Sequence, residues 1–324
     1  MMSFKNFIKE WMLPIAMVTG ASVYLVYHWM PEPVHRIGHF LESTLTIVQP
    51  LLIFLMLFLT FCRIEPRELK PHRWHWWLLL VQGGLFSLLG LGIVAILGWT
   101  SLERGTWMLL VESAMLCLIC PTATAAAVVV RKLGGNVAGV TSYTILINIL
   151  TAILIPLIVP LIHPYSGMNF WAAFNMIMAK VFPLLIMPCL AAWLVRYLAP
   201  RLHRRLVKNP DLPFYIWSVA LTLAIAVSVR YVVSSSLSIW TLAAMAAVSL
   251  LCCAFQFACG KATGGHYSPE KSITAGQALG QKNTVFIIWV GYTYMTPASA
   301  IVGGLYSIWH NIYNSWQLHR SAKM

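Results

Sequence analysis

An all-α, polytopic membrane protein is the fold class this sequence predicts, on three observations. Of 324 residues, 59% are hydrophobic and 10% charged, where soluble domains carry about 25% charge. Ten apolar stretches with short loops between them each reach the roughly 20 residues that a helix needs to cross about 30 Å of hydrocarbon. The basic residues behind a formal net charge of +13 collect in alternate loops, which is how membrane orientation is encoded.

The first half holds apolar stretches at 7–29, 40–62, 74–97, 106–130 and 137–162, and the second half at 170–198, 213–232, 237–259, 271–294 and 296–316. The first follows Lys5 and Lys9 but is too long for a signal-peptide core and has no A-x-A site after it, so it reads as an uncleaved span. Lys5 and Lys9, Arg63 to Arg73, Arg131 and Lys132, Arg196 to Lys208, Lys261 and Lys271, and Arg320 and Lys323 fall on one side; Arg36, Arg104 and Arg230 fall on the other. Both termini are therefore expected in the cytoplasm of a bacterial inner membrane, with the lipid bilayer as surroundings. With the basic residues accounted for as orientation signal, nucleic acid is not an expected partner. Trp74, Trp76 and Trp77 read as an interfacial aromatic belt.

Ten spans divide into two halves, 1–165 and 166–324, and with five spans per half two homologous halves must be inverted relative to each other. The fourth and ninth spans are then counterparts, and each carries the least helical sequence of its half. In the fourth, Pro121 lacks a backbone donor and frees the carbonyl of Cys117. In the ninth, Gly276 and Gly280 loosen a helix that also holds Gln277, Gln281, Lys282 and Asn283. At about 1.5 Å per residue from Lys271, Lys282 lies about 16 Å deep, where a charge is costly and marks a functional site. Paired interruptions in corresponding spans point to a midplane binding site.

Other chemistries fit poorly. Asp211 is the sole aspartate and lies in a loop, no acidic pair is spaced to hold magnesium, and no His pair forms an HExxH. The chain is not expected to be an enzyme or to hold a metal. Cys117-x-x-Cys120 has no second Cys or His pair nearby and reads as buried, inert thiols, as do the other five cysteines. Glu112, about 9 Å from the outer end of its span, is the intramembrane acid, with Lys180 as its expected partner.

The run Thr122-Ala123-Thr124, Gly134-Gly135-Asn136 and Pro156-x-x-x-Pro160 resembles the first crossover region of the bile acid:sodium symporter family. Gly280-x-x-Asn283-Thr284 resembles the second, and Trp309-His310-Asn311 resembles the signature of that family's last helix. The resemblance runs span for span over the chain. It implies a four-helix panel domain, a six-helix core domain in which two broken helices cross at Pro121 and Gly280, and alternating access for an amphipathic organic anion. It further implies that Thr122, Asn283, Thr284 and His310 face the substrate.

The departures fall where that family couples transport to sodium. Ala278 and Lys282 stand where it has a glutamate and a glutamine, and Ala125 where it has an asparagine. Gln82, Thr124, Thr144, Asn148, Gln277 and Gln281 remain as polar positions of the ion region. At least one of two sodium sites is thus expected to be missing. Lys282 reads as a tethered cation held by Gln82, Gln277, Thr124 and the carbonyls freed around Cys117 and Gly280. It reads equally as a proton carrier, or as a lysine neutralised by an acidic partner. The expectation is a transporter of a bile-acid-like compound, steroid sulfate, pantoate or keto acid, independent of sodium, with no cofactor and with sodium or a proton as the candidate coupling ions. A sodium symporter with one remaining site and a non-transporting anion receptor are the alternatives.

Overall fold

The computed structural model describes residues 4–30, 32–100, 103–209 and 212–321. The described residues form thirteen α-helices and two short 3-10 turns joined by loops, with no strand among them. In chain order the helices are α1 (Phe4–His28), α2 (Glu32–Phe61), α3 (Arg73–Trp99), α4 (Thr106–Ile119), α5 (Ala126–Lys132), α6 (Val137–Ile162) and α7 (Phe170–Leu198). There follow α8 (Pro200–Lys208), α9 (Leu212–Ser234), α10 (Ile239–Gly265), α11 (Pro269–Gly280), α12 (Thr284–Tyr294) and α13 (Ile301–Ser321). The chain is therefore all-helical, and α3, α6, α7, α9 and α10 are each long and apolar enough to cross a membrane alone.

Side chains placed at the helix starts explain the boundaries. The Asn136 side chain accepts from Gly139 N at 2.7 Å to begin α6, and that of Asn169 from Ala172 N at 2.8 Å to begin α7. Ser238 opens α10, and Ser268, followed by Pro269, opens α11. Each satisfies a donor that the first helical turn leaves without a partner. The prolines inside α6 and α7 are carried without a break.

The interruptions expected in the fourth and ninth stretches are present: 106–130 and 271–294 are each two helices, divided at 120–125 and 281–283. Three expectations need correction. The last apolar stretch begins with a 3-10 turn at Pro297–Ala300, and α13 starts only at Ile301. Trp74 is not in an interfacial belt: it is 1% exposed and stacks on Tyr143, whereas Trp76 and Trp77 are exposed. Glu112 pairs with His163 at the end of α6, Oε1 to Nε2 at 2.7 Å, and its other oxygen accepts from Thr296 N at 3.0 Å, while Lys180 is exposed.

The largest apolar core joins α2, α3, α4, α6, α7, α9, α10, α12 and α13. A second, of Trp74, Leu78, Val130, Tyr143, Ala278 and others, joins α3, α5, α6 and α11. Close approach is clearest between α10 and α11, where a side chain on Gly260 or Gly264 would run into the carbonyls of Ala275 and Lys271.

Candidate functional site

The breaks at 120–125 and 281–283 meet. Thr122 and Lys282 form an antiparallel bridge, in which Ala123 N donates to Gln281 O at 2.8 Å and Asn283 N donates to Pro121 O at 2.9 Å. Two unwound strands thus pair where each helix would otherwise have continued. That leaves the carbonyls at the ends of α4 and α11 without their i+4 donors, in a region where an unpaired buried carbonyl costs about 1–3 kcal/mol.

Side chains supply the missing donors. At α4, Gln256 Nε2 reaches Cys117 O at 3.2 Å, Lys282 Nζ reaches Leu118 O at 3.3 Å, Thr151 Oγ1 reaches Ile119 O at 2.9 Å and Gln82 Nε2 reaches Cys120 O at 2.9 Å. At α11, the Thr122 hydroxyl donates to Ala278 O at 2.6 Å and Tyr306 OH to Gly280 O at 2.8 Å. The two paired residues exchange caps. In an unbroken helix Thr122 N would bond to Leu118 O, and Lys282 N to Ala278 O. Here the side chain of Lys282 takes the carbonyl that Thr122 vacates, and the side chain of Thr122 takes the one that Lys282 vacates.

Lys282 is 1% exposed, and among the described residues no carboxylate lies within ion-pairing distance. Its amine is placed at the C-terminal end of α4, where the helix dipole is negative and a cation is favoured. The expected partners fall differently. Gln82 does serve the crossing, held by Tyr143 OH on Gln82 Oε1 at 2.8 Å, but it caps Cys120 O. Gln277 points along α13, donating to Asn314 Oδ1 at 2.9 Å and Gln317 Oε1 at 2.8 Å. Thr124 is half-buried, the Thr144 hydroxyl bonds back to Val140 O in its own helix at 2.9 Å, and Asn148 Nδ2 reaches Leu185 O on α7 at 3.3 Å. Thr144, Asn148 and Gln277 are therefore not gathered around the lysine.

The residues implied to face a substrate divide in two. The Thr122 hydroxyl is used as a cap, and Thr284 is buried at the start of α12, its carbonyl against Gly303. Asn283 accepts from Phe286 N through Oδ1 at 3.3 Å, which leaves Nδ2 buried with no partner, and His310 Nδ1 is likewise buried and unpaired. Gln281 Oε1 is another such atom. Thr151, Gln256 and Tyr306 are the residues that sequence reasoning missed. Each is a hydrogen-bonding side chain at a buried position of an apolar helix, and Gln256 is the sole amide of its span, which is the signal that could have found it.

The profile of the SBF-like CPA transporter family, a bile acid:sodium symporter-like group, matches residues 12–324. The chain belongs to the SBF-like CPA transporter family. The match covers both breaks and every side chain that caps them, so the paired strands lie within the family's own region. No curated protein matches the chain in sequence. As an SBF-like CPA transporter the protein is a multi-pass membrane protein with a transporter fold, and membership of a transporter family agrees with its not being an enzyme.

Proposed function

We propose that the protein is a secondary transporter of an amphipathic or small organic anion, working by alternating access without sodium, with Lys282 as a built-in cation at the helix crossing. Ten spans arranged as two inverted five-helix repeats, 1–165 and 166–324, with both termini in the cytoplasm of a bacterial inner membrane, are part of this reading. The observation that carries it is the exchange of caps between Thr122 and Lys282, in which Lys282 Nζ meets the negative end of α4, a setting that favours its protonated form. A tethered ammonium there supplies the positive charge that a bound cation would otherwise bring, and a second cation beside it is repelled. The equivalent roles of Thr122 and Lys282 on opposite arms support the inverted repeat. Asn283 Nδ2 and His310 Nδ1 have unused hydrogen-bonding capacity for an anion's oxygens.

Uptake of organic anions by purified protein in liposomes, with sodium replaced by choline, tests the reading. Undiminished uptake is expected, and a strict sodium requirement would sink it. A second reading, in which Lys282 releases its proton during the cycle, is favoured by one observation: among the described residues, Leu118 O is the one oxygen that Nζ reaches. A pH dye in the liposome lumen separates the two, since a fixed cation moves no proton with the anion.

A further inference from the structure

Seen from the cytoplasmic face assigned by its charges, α8 is the one helix among the described residues with a strongly basic sequence, Pro200-Arg-Leu-His-Arg-Arg-Leu-Val-Lys208. It follows α7 after a single residue, so it starts where an apolar span ends. Its inner side is fastened. His203 Nε2 lies 2.7 Å from Cys62 O, Leu206 and Val207 pack on the main core, and Arg63 donates to Asn209 O at 2.7 Å just beyond the helix. One turn earlier on α7, Arg196 donates to Ile64 O and Glu65 Oε1, each at 2.8 Å. Arg201, Arg204, Arg205 and Lys208 are left on the outer side, exposed, and none has a carboxylate partner among the described residues.

Two of these arginines border an open groove of about 500 Å³ with Leu198, Ala199, Pro200 and Leu202. Arg201 and Arg205 are one turn apart, so both guanidiniums can reach one anionic group. The apolar floor does not stop at the groove. Leu198 continues along α7 through Leu194, Leu190 and Met187, which are 78%, 58%, 41% and 39% exposed, at helical spacing of three to four residues. The groove therefore joins a doubly basic mouth to an apolar stripe on a membrane-spanning helix. A soluble anion would use only the first of these, and an acyl chain only the second.

We propose that this groove is a binding site for an anionic phospholipid, its phosphodiester held by Arg201 and Arg205 and one acyl chain lying along Leu198, Leu194 and Leu190. The site is separate from the helix crossing and does not depend on which substrate or coupling ion the transporter uses. Pinning of α8 by His203 and Arg63 holds the guanidiniums in place before lipid arrives, which lowers the ordering cost of binding.

Full-length protein purified in mild detergent, incubated with phosphatidylglycerol or phosphatidylcholine and measured by native mass spectrometry, tests this. Wild-type protein should retain one phosphatidylglycerol more firmly than phosphatidylcholine. The Arg201→Gln/Arg205→Gln double variant should lose that preference, by about fivefold per guanidinium removed. Arg131→Gln/Lys132→Gln removes two exposed basic residues elsewhere and should leave the preference unchanged. Leu194→Gln should weaken retention without changing the charge. Equal retention by the Arg201/Arg205 variant overturns the site, and so does an equal loss in the Arg131/Lys132 variant, which would mean diffuse attraction. Displacement of the lipid by millimolar inorganic phosphate would overturn the acyl-chain part.

Discussion

At the scale of single residues, Lys282 and Thr122 form a reciprocal device, and each is meaningful only with the other. Removing the lysine leaves Leu118 O buried without a donor, and removing the hydroxyl does the same to Ala278 O. Lys282→Met and Thr122→Val should each lower unfolding stability by about 1–3 kcal/mol. Because the two strands share one bridge, the double variant should differ from the sum by about 0.5 kcal/mol or more. Strict additivity in a thermal or denaturant cycle would mean that the two caps act independently. Asn283→Ala should remove the unpaired Nδ2 and weaken anion binding, at the cost of about 1 kcal/mol for the lost α12 cap. An unchanged ligand-induced rise in melting temperature would argue against that role. The oddity of Lys282 was legible in the sequence, since charge at membrane depth needs a reason. Its partner was not, because Leu118 is 164 residues away and spacing says nothing about long-range pairing. Thr144, Asn148 and Thr151 share one face of α6 by their spacing, yet it is Thr151 that reaches the break. Which hydroxyl turns inward and which bonds back to its own helix is decided by packing.

At the scale of elements, hydropathy made the helices legible and their ends only in part. Both breaks showed in sequence as Pro121 and the Gly276 to Gly280 stretch, but the pairing of the two unwound segments could not be read, since it requires the two breaks to lie at one depth. Helix α8 went unmarked because nine residues that include four basic ones look like a loop until Leu206, Val207 and His203 are seen to face one side. Tight packing of α10 on α11 gives a contrast between adjacent glycines. Gly264→Ala places a methyl against the Lys271 carbonyl, whereas Gly265→Ala meets nothing nearer than the Ser272 side chain at 3.7 Å. The first should destabilise by about 1–3 kcal/mol, and the second should be neutral or stabilise by about 0.5–1 kcal/mol through helix propensity. Equal melting temperatures for the two variants would show that α10 and α11 are looser than their backbones suggest.

At the scale of the molecule, the origin of the cap donors suggests which helices move together. The carbonyls at the crossing are served by α3 through Gln82, α6 through Thr151, α10 through Gln256 and α13 through Tyr306, besides the two broken pairs themselves. None of these donors comes from α1, α2, α7 or α9, and α1 and α9 share a separate apolar cluster. A hydrogen-bonded set of this kind resists shear, because sliding any one donor helix uncaps a buried carbonyl, whereas apolar faces can slide and repack. Helices α3 to α6 and α10 to α13 should therefore behave as one body and α1, α2, α7 and α9 as a second, the division expected of a panel and a core. Paramagnetic labels on a background without native cysteines can measure it. A pair at Lys132 and His266 lies within the first body, and a pair at Lys132 and Lys208 bridges the two, all at exposed positions. Substrate should leave the first distance distribution in place and shift or broaden the second. A shift within the Lys132 and His266 pair, with none across, would require the crossing itself to open and its caps to exchange.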